Sequence, residues 1–225
     1  MLLQGICAPP ARADIDLSPL RTQAGASADD LRSRAQAGDP QAQYRVAQQF
    51  DGAQGRKPDP RQAFQWYKRA AEQGHVLAQV NLALMYQAGQ GTRRNLAEAV
   101  AWFERAASAG HPGAQHSLGL VYYEGLGVKR DYLRARQWFE RAAAGGNAAS
   151  MNNLGVIHAL GQGTAEDRVD ALAWFRLSAA AGDADGKNNG DLLAAELTPA
   201  QLEAGRARTE ALAERLREQR QSIQK

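Results

Sequence analysis

Residues 114–146 read AQHSLGLVYYEGLGVKRDYLRARQWFERAAAGG, and the spacing of their glycines, alanines and aromatic residues recurs along most of the chain. All four tryptophans lie 36 residues apart, and other columns keep the same step. These columns are Trp66, Trp102, Trp138 and Trp174; Gly38, Gly74, Gly110, Gly146 and Gly182; Gly55, Gly91, Gly127 and Gly163; Ala63, Ala99, Ala135 and Ala171; and Tyr67, Phe103, Phe139 and Phe175. Self-similarity at a fixed period of this size is typical of stacked repeat proteins. The sequence therefore predicts tandem units of 36 residues.

Each unit predicts two helices, A and B. In helix A, Ala78, Leu82, Ala83 and Tyr86 have the spacing of one helical face, and the small residue beside the leucine lets a neighbouring helix approach. Helix B begins at a residue whose side-chain oxygen can cap the helix: Asp59, Asn95, Asp131 or Asp167. It ends at the first glycine column, and the next helix A begins at Asp39, His75, His111, Asn147 or Asp183. The predicted fold is all-α, with helix-turn-helix units at about 39–74, 75–110, 111–146 and 147–182.

The ends of the repeat region also predict helices. Residues 29–38 resemble a helix B without its partner, and residues 183–196 resemble a fifth helix A. Thr198, Pro199 and Gln201 form the start signal of a last helix. Its few apolar points are Leu202, Leu212 and Leu216, and the tail beyond Glu218 is expected to fray. The organisation is thus an N-terminal segment 1–26, a repeat domain 27–197, and a capping helix and tail 198–225.

Composition narrows the function classes. The chain has 225 residues and a formal net charge of +3, and its 27 basic and 24 acidic residues are interspersed, which argues against nucleic-acid binding. The single cysteine, Cys7, excludes an intramolecular disulfide. No apolar run approaches the roughly 20 residues of a membrane-spanning helix, so we expect no integral membrane segment.

The N-terminal segment leaves two interpretations open. Ala11, Arg12 and Ala13 before Asp14 have the small-x-small form of a signal-peptidase site. However, no basic residue precedes Arg12, and the apolar patch before it is shorter than a normal signal core. A cleavable signal remnant predicts a periplasmic protein, and an ordinary N-terminus predicts a cytoplasmic one.

The third unit resembles the Sel-one-like repeat family. Its pattern carries the alanines, glycines and aromatic residues of that motif, and the resemblance covers about residues 37–183. The matching positions are Ala114, Leu118, Gly119, Tyr122, Gly125, Gly127, Val128, Asp131, Ala135, Trp138, Phe139, Ala142, Ala143 and Gly146. The resemblance implies a right-handed, tetratricopeptide-like α-solenoid with helix A on the concave side. Unit one departs from the pattern at Gln48, Gln49 and Ala53, and the chain lacks the paired cysteines of disulfide-stapled relatives.

No residue pattern indicates catalysis, a metal or a cofactor. Turns such as Gly89-Gln90-Gly91 follow no strand, so they are interpreted as structural turns rather than phosphate loops. The four histidines are His75, His111, His116 and His158, and they form no metal-binding motif. We therefore expect no enzyme, no metal site and no cofactor.

The resemblance implies an adaptor or scaffold that binds a partner protein or peptide on its concave face. One form is an immunity protein that neutralises a secreted toxin, such as a type VI secretion phospholipase effector; the alternative is an enzyme or enzyme-associated factor acting on bacterial cell-wall material. The candidate contact residues are Tyr44, Gln48, Asp51, Val80, Leu84, Gln87, His116, Leu120, Tyr123, Asn152 and Val156. The column Leu84, Leu120 and Val156 predicts an apolar strip. The competing interpretation is that the next repeat covers these side chains.

Overall fold

The computed structural model describes residues 28–52 and 57–223, and these residues form helices and turns without a strand. The prediction of an all-α fold of helix-turn-helix repeats, the α-solenoid class, is confirmed. The helices are α1 Ala28–Gln36, α2 Pro40–Phe50, α3 Pro60–Glu72, α4 Val76–Ala88, α5 Leu96–Ser108, α6 Pro112–Glu124, α7 Tyr132–Ala144, α8 Ala148–Leu160, α9 Arg168–Ala180, α10 Ala184–Ala194 and α11 Pro199–Ile223. Cys7, the candidate cleavage site Ala11-Arg12-Ala13 and the unit-one position Ala53 lie outside the described residues. Within those residues, no helix is both long and apolar enough to cross a membrane.

The predicted caps set the register of the helices. The A helices are α2, α4, α6, α8 and α10, and each B helix follows its A helix as α3, α5, α7 or α9. Every predicted capping side chain accepts a hydrogen bond from the backbone of the helix that it precedes. They are Asp39, His75, His111, Asn147 and Asp183 before A helices, and Asp59, Asn95, Asp131 and Asp167 before B helices. The capping pattern is therefore sufficient to locate the starts of α2 to α10.

The chain divides after Ala109 into two compact units, each larger than one 36-residue repeat. From here on, the first unit is the one that contains α1–α5, and the second unit is the one that contains α6–α11. In each unit, an A helix packs against its own B helix, and that B helix also contacts the next A helix, as α3 contacts α4 and α7 contacts α8. A small cluster in the first unit joins Ala35, Ala42 and Val46 to Trp66. The predicted repeat domain 27–197 spans parts of both units.

Small residues bring the paired helices together, as the sequence predicts. Gly155 on α8 faces the fully buried ring of Phe175 on α9, and a Cβ at Gly155 would lie 2.5 Å from two ring carbons. Because atoms cannot approach that closely, only glycine fits this contact without a shift of the helix or the ring.

The last helix, α11, packs against α9 and α7. It begins with the predicted reciprocal cap, in which the Thr198 amide donates to Gln201 Oε1 at 3.0 Å. Leu212 and Leu216 are buried. The helix continues beyond Glu218 to Ile223, and Arg220 Nε donates to the Ala144 carbonyl at 3.2 Å. That carbonyl ends α7, where a cation is favourable.

Candidate partner-binding site

The predicted contact residues Tyr44 and Gln48 on α2, and Asp51 at its C-terminal end, contact other side chains of the first unit. The Tyr44 ring is 2% exposed and stacks on the His75 ring, with 4.5 Å between the ring centroids. Gln48 Nε2 donates to the Tyr44 hydroxyl at 3.2 Å, and the Tyr67 hydroxyl donates to Asp51. Tyr44 is therefore not the open groove residue that the sequence predicted, because the start of the next A helix covers it.

On α4, the predicted residues Val80, Leu84 and Gln87 are half-buried. Neighbouring position Met85 points into the core, with 6% of its surface exposed. The α4 residues therefore keep part of their side-chain surface accessible, as a contact face needs.

In the second unit, α6 presents His116, Leu120 and Tyr123, all half-buried. His116 Nδ1 lies 2.8 Å from Ser150 Oγ on α8, within hydrogen-bonding distance. The Tyr123 hydroxyl donates to Gln162 Oε1 at 2.6 Å. These contacts orient the polar atoms of His116 and Tyr123, and Leu120 lies between these two residues along α6.

The two predicted residues on α8 are covered, and here the prediction of an open groove is wrong. Asn152 is 5% exposed, and its Oδ1 accepts from Asn189 Nδ2 on α10 at 2.9 Å. Val156 is 2% exposed and belongs to a cluster with Phe175, against which Leu193 packs. The cause is α10, which lies over α8 as one further A helix, so the competing interpretation holds at this position.

Sequence reasoning missed Leu192, although the same step of 36 residues leads from Val156 to it. Leu192 lies on α10 and is 45% exposed, one of three large exposed apolar side chains among the described residues with Leu133 and Leu160. Extending the column Leu84, Leu120 and Val156 into the fifth A helix would have found it. In each unit we call the residues that remain accessible the helix-A surface of that unit. They are Val80, Leu84 and Gln87 in the first unit, and His116, Leu120, Tyr123 and Leu192 in the second.

Two of the four histidines cap helices, and burial lowers the pKa of all four. His75 Nδ1 and His111 Nδ1 each accept a backbone N–H at 3.2 Å and cap an A helix. Burial lowers the pKa of His116 to about 4, and the carboxylate of Asp183 opposes this shift. Burial likewise lowers the pKa of His158, whose Nδ1 lies 3.9 Å from Asp170. Across residues 28–52 and 57–223, no group of three or more His, Cys, Asp or Glu side chains could hold a metal ion.

The Sel1 repeat family model matches four consecutive segments: residues 40–75, 76–111, 112–147 and 148–183. These matches cover more than half of the chain and confirm the resemblance seen in its sequence. The chain belongs to the Sel1 repeat family, whose fold is a scaffold for protein–protein interaction and is generally not catalytic.

Solved structures agree with the family. A Sel1 repeat protein from Oxalobacter formigenes is 38% identical, with a TM-score of 0.64 over 67% of this chain and 62% of that protein. The protective antigen c5321 of uropathogenic Escherichia coli is 27% identical, with a TM-score of 0.55 over 87% of this chain and 50% of that protein. A Sel1 repeat structure from Klebsiella pneumoniae, 23% identical with a TM-score of 0.50 over 74% of this chain and 83% of that one, shares the fold. The chain thus spans about 62% and 50% of the first two proteins. No curated protein matches the chain significantly.

Proposed function

We propose that the chain is a non-catalytic binding protein that holds a partner protein on its helix-A surface. The observation that carries the proposal is the exposed Leu192, at the end of a column whose preceding member, Val156, is covered by the next A helix. Exposed leucines contribute binding free energy when a partner covers them, at about 25 cal/mol per Å² of buried apolar area. Membership of a protein-interaction family supports the same function.

The repeat geometry explains why this leucine is open. In the second unit, α8 lies under α10, but the last helix packs against α9 and α7. The layer of A helices in this unit therefore ends at α10, with the apolar side chain of the repeat column in contact with water. A partner that presents an apolar helix or peptide at this place substitutes for a missing A helix.

The test uses two leucines of nearly equal exposure. Leu192 is 45% exposed on an A helix, and Leu133 is 48% exposed on the B helix α7. Tagged Leu192→Ser and Leu133→Ser proteins are used to capture partners from a native extract, and captured proteins are identified by mass spectrometry. We expect Leu192→Ser to lose a partner that wild type and Leu133→Ser retain. Equal retention by both variants would contradict the proposed surface.

A second pair of variants tests the rest of the surface. Leu84→Ala and Tyr123→Ala shorten half-buried side chains of the first and second units. We expect each variant to weaken binding of the same partner, measured by titration with the purified partner. If both bind as wild type does, the contact is confined to the region of Leu192.

Immunity and scaffold functions differ in their expected binding. An immunity protein forms a very tight one-to-one complex with one toxin, and titration calorimetry of the captured pair would show this; a scaffold binds several partners more weakly.

We propose export to the periplasm if the native protein starts at Asp14, and a cytoplasmic location if N-terminal sequencing finds an intact Met1.

A further inference from the structure

A cleft of about 560 Å³ lies at one edge of the first unit, where the turn between α4 and α5 meets the start of α3. It is lined by Pro60, Arg61, Gly89, Gly91, Thr92 and Arg93. The lining contains two guanidinium groups and a hydroxyl but no carboxylate. It therefore offers several hydrogen-bond donors to an anionic group.

The frame of the cleft comes from the repeat fold. Gly91 has a φ of +70°, and a Cβ there would overlap the Pro60 carbonyl, so the turn packs directly on the backbone at the start of α3. The second unit repeats this contact 72 residues later, where a Cβ on Gly163 would lie 2.7 Å from the carbonyl carbon of Tyr132. The close approach of turn and helix is thus common to both units.

The pairing of two arginines is particular to the first unit. The corresponding pair 72 residues later, in the second unit, is Leu133 and Ala165. The Arg93 column also holds Lys57 and Lys129, whereas the Arg61 column otherwise holds Ala97, Leu133 and Val169. The repeat therefore forms without arginine at either position. Both arginines are exposed, and neither forms an ion pair with a described residue.

The carboxylate nearest to Arg61 in the sequence forms no ion pair with either arginine. Asp59 precedes the cleft, but its Oδ1 accepts from the Gln62 amide at 3.1 Å as the cap of α3, and Asp59 is not among the lining residues. Two uncompensated guanidinium groups beside a cavity favour an anionic ligand, because a planar guanidinium pairs with a carboxylate through two parallel hydrogen bonds.

We propose that this cleft docks an acidic segment of the partner protein, with Arg61 and Arg93 binding its carboxylates. The inference rests on the proposed function and adds the chemistry of the partner. A protein ligand is favoured over nucleic acid because the basic residues of the chain are interspersed with acidic ones rather than arranged in a basic stripe. Charge pairs at such an exposed edge mainly determine the partner's specificity and rate of association.

The experiment measures binding of a fluorescein-labelled hexaglutamate peptide to the full chain by anisotropy at low salt. The test variant is Arg61→Leu with Arg93→Ala, which places the second unit's residues at these positions and should leave the circular dichroism unchanged. A control with the same change of net charge is Arg215→Leu with Arg217→Ala, two exposed arginines of α11. We expect the test variant to bind at least tenfold more weakly and the control to bind within twofold of wild type.

The proposal would be overturned by equal binding of the peptide to the test variant and wild type, by equal weakening in both double variants, or by equal binding of a hexaglutamine peptide. Binding of inorganic phosphate at the cleft without binding of hexaglutamate would also overturn it. The Leu192→Ser variant separates this inference from the proposed function. If Leu192→Ser loses the captured partner while Arg61→Leu with Arg93→Ala retains it, the helix-A surface is correct and the acidic docking site is wrong.

Discussion

The variant His116→Asn should lose less stability in mild acid than wild type does. His116 lies on α6 against Ser150 of α8, and burial lowers its pKa from 6.5 to about 4. One 36-residue repeat later, the same position is occupied by Asn152, which is buried and hydrogen-bonded. The substitution removes the titrating group together with the contact of its ring with Phe139, at 5.7 Å between centroids, so the two proteins are compared by their change of stability with pH.

The sign and size of the effect follow from proton linkage. Because the folded state binds a proton on His116 less readily than the unfolded state, its neutral form contributes stability above the unfolded pKa of 6.5, and this contribution is lost as the pH falls towards about 4. At about pH 5 the unfolded histidine is ~97% protonated and the folded one ~10%, which corresponds to a loss of about 2 kcal/mol relative to about pH 7.5. The full shift corresponds to about 3 kcal/mol at still lower pH.

The assay is urea unfolding followed by circular dichroism at about pH 7.5 and about pH 5. Wild type should lose more than about 2 kcal/mol between these pH values, because burial also lowers the pKa values of His75, His111 and His158. The change for His116→Asn should be smaller than that of wild type by about 2 kcal/mol. Equal pH dependence of the two proteins would refute the burial argument for His116.

Two further predictions concern packing. Gly155→Ala places a methyl group 2.5 Å from ring carbons of Phe175, so the strain of overpacking should exceed the gain in helix propensity and lower the free energy of unfolding by about 1–2 kcal/mol in urea titrations; wild-type stability would contradict this. Arg208→Ala removes two hydrogen bonds to the half-buried carboxylate of Asp170, at 2.5 and 3.0 Å, and should lower the free energy of unfolding by about 1–2 kcal/mol. Arg206→Ala on the same helix breaks only an exposed pair with Glu203 and should lower it by less than about 0.5 kcal/mol. Equal losses of stability in the two arginine variants would show that Arg208 does not anchor α11.

The helices and their boundaries could be predicted because each 36-residue repeat carries the same capping and helix-ending residues. A residue such as Asp131 can accept the first backbone N–H groups of a helix wherever it stands, so its effect is local and visible in the sequence. The helix-closing glycine column is local in the same way, as Gly146 shows with a φ of +91°. Four copies of these signals in register left little freedom in the assignment.

The exposure of the candidate site could not be predicted because it depends on what packs next to each A helix. Leu120 and Val156 occupy the same repeat position, yet Val156 is 2% exposed and Leu120 is half-buried. Periodicity gives both residues the same face of a helix, but only the three-dimensional structure shows that α10 covers α8. The contact of Arg220 with the end of α7 could not be predicted for a similar reason, since it joins residues 76 positions apart in the chain.

Departures from the repeat are therefore the best guide to the partner. A column that serves packing keeps its residue type from unit to unit, as the helix-B aromatic column Tyr67, Phe103, Phe139 and Phe175 does, because every copy fills the same space. Arg61 stands in a column that otherwise holds Ala97, Leu133 and Val169, so stacking does not require an arginine there. Leu192 occupies the same repeat position as Val156, but Val156 is covered by the next A helix and Leu192 is not. We expect a ligand of the second unit to bring an apolar segment to Leu192, and a ligand of the first unit to bring carboxylates to the cleft.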